Sequence, residues 1–258
     1  MNRLRIIAAV MLAAAGLGGC VFHGFYGAKE HFERGVQLSE SFAPGARFAA
    51  RTSNGFITVT GADSQTCDVT ATIRGQAETV ERAQELAEQT QLRLDRTSEG
   101  LTAVVDRPDL KQGESVNISY DVTLPHRTAL DLQTSNGRIT LSQIEKAIRA
   151  QTSNGKIDIT AVKGPIEART SNGSITVRRG DVPSLDLHTS NGSITGEDIT
   201  GSLAASTSNG SVNIRYAPTA DPATNIRITT SNGGINLKVP DNYSARIDAA
   251  TSNGKIST

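Results

Sequence analysis

The tetrapeptide Thr-Ser-Asn-Gly occurs eight times in this 258-residue chain, a recurrence that only a repeating architecture explains. Its Asn-Gly pairs are Asn54-Gly55, Asn136-Gly137, Asn154-Gly155, Asn172-Gly173, Asn191-Gly192, Asn209-Gly210, Asn232-Gly233 and Asn253-Gly254. From Gly137 onward the glycines are 18, 18, 19, 18, 23 and 21 residues apart, so each copy marks one structural unit. The longer steps contain Ala217-Pro218 to Asp221-Pro222 and Pro240-Asp241-Asn242, which read as loops bulging from a regular array.

Columns aligned on the glycine supply the core. Two positions after it stand Ile57, Ile139, Ile157, Ile175, Ile194, Val212, Ile235 and Ile256, all β-branched and suited to a pleated, buried surface. Seven positions before it stand Phe48, Leu130, Ile148, Ile166, Leu185, Leu203, Ile226 and Ile247, and five before it Ala, Leu or Ile. Polar residues alternate with these columns, the period of a half-buried strand. Each unit therefore reads as strand, Thr-Ser-Asn-Gly turn, strand.

One such unit cannot fold alone. Burying four or five aliphatic side chains contributes about 1.5–3 kcal/mol each, whereas ordering the backbone costs about 1–2 kcal/mol per residue over a coil of this length. Stacking must supply the difference, and two stackings are open. Asn-Gly is the strongest short hairpin signal, and a hairpin would set Thr152 opposite Ile157. A meander of hairpins, however, gives no reason to keep Ser153 and its copies alike. In a solenoid each residue lies about 4.8 Å above its own copy, and Asn over Asn or Thr over Thr can form continuous hydrogen-bonded ladders. The expected fold is all-β, a parallel β-helix or solenoid of ~18-residue coils.

Residues 61–129 interrupt the repeat. Glu78 to Thr90 has helix-forming composition, with Val80, Ala83, Leu86 and Ala87 on one stripe. Around it Leu92–Asp95, Leu101–Val105 and Val116–Leu124 alternate as strands. A solenoid end exposes apolar side chains and an unpaired strand edge, so this helix-containing segment is expected to be a small N-terminal cap. No equivalent segment follows the last repeat, and the final coil is expected to be adhesive towards a partner or a second copy.

The start of the chain carries a different signal. Arg3 and Arg5 precede the apolar run Ile6 to Ala15, and Leu17-Gly18-Gly19 sets small residues before Cys20. This resembles a bacterial lipoprotein signal peptide. The resemblance implies cleavage before Cys20, acylation of that cysteine, and anchoring to a membrane leaflet. A membrane-spanning helix is the competing reading, and the run is shorter than the ~20 residues a span requires. Val21 rather than Asp follows the cysteine, which by the lipoprotein sorting rule implies the outer membrane in a cell with two. The chain then divides into a signal peptide (1–19), a tether (20–45), N-terminal strands with the cap helix (46–129) and the repeat solenoid (130–258).

Charge and cysteine content narrow the partners. The chain holds 26 basic and 26 acidic residues; loss of Arg3 and Arg5 leaves 24 against 26, a net charge of −2 that offers nucleic acid no electrostatic attraction. With Cys20 acylated, Cys67 has no intramolecular partner and reads as a small core residue of an alternating strand.

An alternating N-terminal strand, a short helix, a strand pair ending near Leu124-Pro125, and Thr-Ser-Asn-Gly-x-Ile repeats together resemble the bacterial putative-adhesin family of β-helical cell-envelope proteins, over residues 46–258. The resemblance implies adhesion or envelope-stress sensing and carries no catalytic motif. A polysaccharide lyase or hydrolase on a β-helix is the rival class, and it needs carboxylates clustered on one face. The column three past the glycine (Thr140, Asp158, Thr176, Thr195, Asn213, Asn236, Ser257) does not concentrate acids, and His23, His31, His126 and His188 lack metal-ligand spacing. No cofactor, metal or catalytic residue is expected. The reading is a lipid-anchored, non-catalytic adhesin-like or scaffold module of the cell envelope. Its partners are expected to be the membrane through Cys20, envelope polysaccharide or a protein, and a second copy through the C-terminal coil. Outward Thr, Ser and Asn rows suit a glycan, although the strands show no aromatic stacking platform, and the mixed Arg, Asp and Lys columns disfavour ice.

Overall fold

A computed structural model describes residues 29–220, 225–241 and 243–258. The cap region comprises β1 (Glu30–Ser41), β2 (Arg47–Arg51), β3 (Ile57–Ala62), β4 (Thr66–Ala77), α1 (Val80–Gln89), β5 (Gln91–Arg96), β6 (Gly100–Asp106) and β7 (Ser115–Pro125). The repeats follow as strand pairs: β8 (Ala129–Gln133) with β9 (Ile139–Ser142), β10 (Ile148–Gln151) with β11 (Ile157–Val162), and β12 (Ile166–Arg169) with β13 (Ile175–Gly180). Next come β14 (Ser184–His188) with β15 (Ile194–Ile199), and β16 (Ser202–Ser206) with β17 (Val212–Tyr216). The last pairs are β18 (Asn225–Thr230) with β19 (Ile235–Lys238) and β20 (Arg246–Thr251) with β21 (Ile256–Ser257).

The strands before each turn stack into one sheet and those after it into another, both parallel through the repeats. Parallel stacking rather than hairpin pairing therefore wins, and the reason is burial. Ile157 lies between Ile139 and Ile175, and Ala150 between Leu132 and Ala168, so every apolar column runs down the interior as one file. A hairpin would bring each unit's own strands together and leave nothing to cover their apolar face.

The chain does not lay down its coils in sequence order. The coil β2–β3 stacks directly on β8–β9, although residues 63–128 intervene. That excursion builds the far side of the same stack: β6 pairs parallel with β2 and β7 parallel with β3. Beyond them β4 and β1 continue one sheet in antiparallel sense, and β5 closes the other. Helix α1 packs against β4 and β1, burying Ala83, Leu86 and Ala87, with Thr79 as its N-cap. Gly75 admits the helix, because a Cβ there would lie 2.1 Å from the Ala83 carbonyl oxygen. The cap is thus one helix with antiparallel strands. Two expectations are corrected in detail: Val80, on the expected stripe, is 44% exposed, and residues 30–41 of the expected tether are a sheet strand. Cys20 lies outside the described residues.

Four successive coils have a second corner that the sequence does not announce. Gln143, Ala161, Arg179 and Asp198, six residues past their glycines, all adopt left-handed φ between 51° and 61°. This conformation costs about 1–2 kcal/mol for a residue with a side chain. It is held by the coils on either side, as in Lys163 N donating to the Ile144 carbonyl at 2.9 Å and Asp181 N to that of Val162 at 3.0 Å.

The repeated glycine is demanded by close approach. A Cβ on Gly155 would lie 1.7 Å from the Gly137 carbonyl oxygen, and the same clash recurs between every neighbouring pair of repeat glycines. Gly155→Ala should therefore destabilise the solenoid by about 3 kcal/mol or more. Gly234→Ala, where the nearest atom is 3.5 Å away, should stay within about 0.5 kcal/mol of the parent in urea unfolding.

The cap carries a pH-dependent clasp. Glu114 accepts from Arg82 Nε at 2.8 Å and Nη2 at 3.0 Å, and from the Lys111 amide at 2.9 Å. The Arg82 guanidinium holds the Glu114 carboxyl down at about 2 from its ordinary 4.5. A carboxyl depressed by folding adds stability above its unfolded value and loses it as the pH falls towards the folded one. Thermal unfolding should thus show Glu114→Gln less stable than the parent at neutral pH, with the gap closing as pH falls from 4.5 towards 2.

Candidate binding surfaces

The turn column is a three-track ladder. The buried Thr hydroxyl donates to the glycine carbonyl of the preceding coil: Thr152 to Gly137 at 3.1 Å, Thr170 to Gly155 at 3.0 Å and Thr189 to Gly173 at 2.9 Å. The same oxygen accepts from its own glycine amide at 3.2 Å. The carbonyls of Ser53, Ser135, Ser153, Ser171 and Ser190 each take both the Ser and Asn amides of the next coil, at 3.1 and 2.9 Å for Ser135, whereas those of Ser208 and Ser231 take the Asn amide. The Asn side chains form a continuous amide file, each Nδ2 donating to the preceding Oδ1 at 2.5–2.8 Å from Asn54 to Asn253. Each Asn between the two ends of the file thereby both donates and accepts along the stack, so its first role is to hold the corner in register. The Ser hydroxyls and the outer edge of the Asn file face solvent.

Outside the β2–β20 sheet, the column six before the glycine carries Asp131, Arg149, Glu167, Asp186, Ala204, Arg227 and Asp248. Arginines bridge these carboxylates within and between coils: Arg47 pairs with Asp131, and Arg169 pairs with Asp186 of the next coil at 2.7 Å and with Glu167 of its own strand at 2.9 Å. Such half-exposed pairs contribute little to stability individually, but they fix the side chains upright as walls. Two shallow depressions, of ≈490 and ≈590 Å3, lie between them and share Ser184 and Asp186. The larger opens at Ala204, the one rung whose short side chain leaves a gap between Asp186 and Arg227. Together they make one trough crossing the strands along the stacking axis.

The other sheet, β1 to β21, presents an outer row of Thr58, Thr140, Asp158, Thr176 and Thr195. One exposed aromatic stands at its edge, Phe56, 48% accessible. The sequence reading missed it because it belongs to the turn, one residue before β3.

The remaining singled-out residues lie apart. Cys67 is fully buried on β4, and burial pushes its thiol up to about 12, so it is an inert core residue. His126 Nδ1 sits 2.8 Å from the Gln143 carbonyl oxygen, and His188 Nδ1 2.7 Å from the Ser206 hydroxyl. His31 lies on β1 and His23 outside the described residues. Among the described residues no three His, Cys, Asp or Glu converge as metal ligands, and no helix is long and apolar enough to cross a membrane.

Comparison with known proteins follows the same architecture. The Toastrack DUF4097 family model matches residues 52–258, the whole of the repeat from its first copy. The chain belongs to that family. Among solved structures, a putative adhesin from Bacteroides fragilis superposes with a TM-score of 0.56 at 12% identity, covering 86% of this chain and 96% of its own. A putative adhesin from Parabacteroides distasonis gives 0.52 at 13% identity, covering 87% and 97%. At these identities the likeness concerns the Toastrack fold. No curated protein matches the chain.

The Thr hydroxyl is the most exacting element of the ladder, being buried, donating to one coil and accepting from its own. Thr189→Val should cost about 1–3 kcal/mol in urea unfolding by leaving the Gly173 carbonyl and Gly192 amide unmet, while Thr189→Ser should recover most of it.

Proposed function

We propose that this Toastrack protein is a lipid-anchored module of the cell envelope that binds an extended polymer without turning it over, in the manner of an adhesin. The observation that carries this reading is the trough outside the β2–β20 sheet. It runs along the stacking axis over successive coils at the ~4.8 Å strand spacing, its walls are charged side chains already paired with one another, and its floor opens at Ala204. A long, shallow, pre-formed channel suits an extended chain gripped weakly at many points, with affinity gained by multiplicity. The laddered corner makes the channel rigid, so little ordering cost accompanies binding. The Cys20 signal supports anchoring by acyl chains.

The exposed isoleucines of the last described coil favour a second reading. Ile247 and Ile256 belong to columns that are buried in every other repeat, yet they are 42% and 41% exposed. The β20–β21 edge would add a further coil from a partner or another copy, in the same register as the existing stack.

The test is a pulldown of the detergent-solubilised full chain on purified cell-wall polysaccharide and peptidoglycan, with soluble polymer as competitor. Saturable, competed binding is expected, reduced about tenfold by Ala204→Arg, which fills the trough. Binding indifferent to Ala204→Arg would rule out the trough. Metabolic palmitate labelling should mark the parent and not Cys20→Ser.

A further inference from the structure

One row on the outer face of the β1–β21 sheet breaks the charge pattern found elsewhere. In strand order it reads Ser119, Phe56, Arg138, Lys156 and Ser174, the positions just before the inward Tyr120, Ile57, Ile139, Ile157 and Ile175. The backbone fixes it: Tyr120 N donates to the Phe56 carbonyl, Ile57 N to that of Arg138 and Ile139 N to that of Lys156, each at 2.9 Å. Phe56 N also meets the Ser119 hydroxyl at 3.3 Å.

Two features of this row have no structural use. Phe56 is the one aromatic among the exposed large apolar side chains of the described residues, while its neighbour on the same strand, Ile57, is fully buried. Arg138 and Lys156 immediately precede the adjacent strands β9 and β11, about 4.8 Å apart, a like-charge juxtaposition that disfavours folding. On the opposite sheet arginines meet carboxylates, as Arg169 does with Asp186 at 2.7 Å and Glu167 at 2.9 Å. Here relief is slight: Arg138 reaches Asp158 only at 3.8 Å, and Lys156 has no ion pair among the described residues. Arg215 and Lys238 also adjoin, but Asp198 holds Arg215 at 3.2 Å.

The next outward row completes the chemistry. It carries Asp121, Thr58, Thr140 and Asp158 on the same four strands, two hydroxyls flanked by two carboxylates. A ring plane, one unpaired and one loosely paired cation, two hydroxyls and two carboxylates within a few strands match a ligand that is a polyol with an acid group. The apolar face of a pyranose stacks on Phe56, its hydroxyls donate to Asp121 or Asp158 and exchange with Thr58 and Thr140, and its carboxylate meets Arg138 and Lys156. We propose that this patch is a subsite for a carboxylated saccharide, a uronic-acid-type residue, on the face opposite the trough. It goes beyond the trough reading and stands independently of it.

The experiment is isothermal calorimetry of the detergent-solubilised full chain with oligogalacturonate, and with a maltooligosaccharide of equal length as the neutral probe. Oligogalacturonate should bind, weaken with added salt, and exceed the neutral oligosaccharide by about tenfold or more. Phe56→Ala and Lys156→Gln should each weaken it by about tenfold, with unchanged melting temperature, while Arg93→Gln on the cap leaves it intact. Equal affinity for the two probes, or no loss in both Phe56→Ala and Lys156→Gln, overturns the inference. Loss only in Ala204→Arg likewise overturns it and leaves the trough reading standing.

Discussion

The structure depends on how closely two backbones can approach at one corner. With Gly over Gly, the carbonyl of one coil sits where the next coil's Cβ would be, and that proximity lets the Thr hydroxyl, the Ser carbonyl and the Asn amide all reach across. Remove the glycine and the coils separate at that edge, lengthening all three contacts together. The four residues of the repeat are thus one device: Gly sets the spacing, Thr satisfies the buried carbonyl that the spacing creates, Ser supplies the doubly used acceptor, and Asn locks adjacent coils in register. None of the four could change alone without exposing the function of the others, which is why the motif recurs intact while the positions beside it vary.

A corner this rigid frees the outer faces. Inward columns must be apolar to close the core, and the turn column must be Thr-Ser-Asn-Gly, but outward positions are constrained only by their neighbours one strand away. On the β2–β20 sheet arginines are set against carboxylates, Arg47 on Asp131 and Arg169 on both Glu167 and Asp186. On the β1–β21 sheet the first turns carry an aromatic and two cations in file, and later turns replace them with Ser174, Ser193 and Ser211. The scaffold therefore presents chemically different stretches along one straight axis, which is the property a polymer-binding module needs and a single catalytic pocket does not.

What was legible in the sequence was whatever recurs. Period and columns suffice for the solenoid and its core because Ile157 must lie on Ile139 and Ile175 in any parallel stack, and the Asn-Gly hairpin signal loses to that burial. Strand β1 was not legible: its inward positions include Arg34 and Glu40 beside Phe32, Val36 and Leu38, and the charged pair masks the alternation. Arg34 is used there to donate to the Thr90 carbonyl at 2.6 Å, tying the strand to the end of α1. The second corner was hidden too, since Gln143, Ala161, Arg179 and Asp198 share a backbone conformation and no side-chain chemistry. Nor could spacing show that residues 63–128 return beneath the coil they leave.

The candidate surfaces follow the same division. A trough wall is legible only once strands 18 residues apart are known to touch, because Arg169 and Asp186 are unremarkable in line and complementary in space. Phe56 is hidden for the opposite reason: stacking platforms usually lie on strands, and it stands in the turn column, where the motif gives every position a structural reading. The residue after the glycine is the first position past the ladder that points outward, and it is held by a backbone bonded on both sides. In a repeat whose corner is this tightly specified, that position is where a surface can vary at least structural cost, and so where recognition chemistry can be placed on a rigid base.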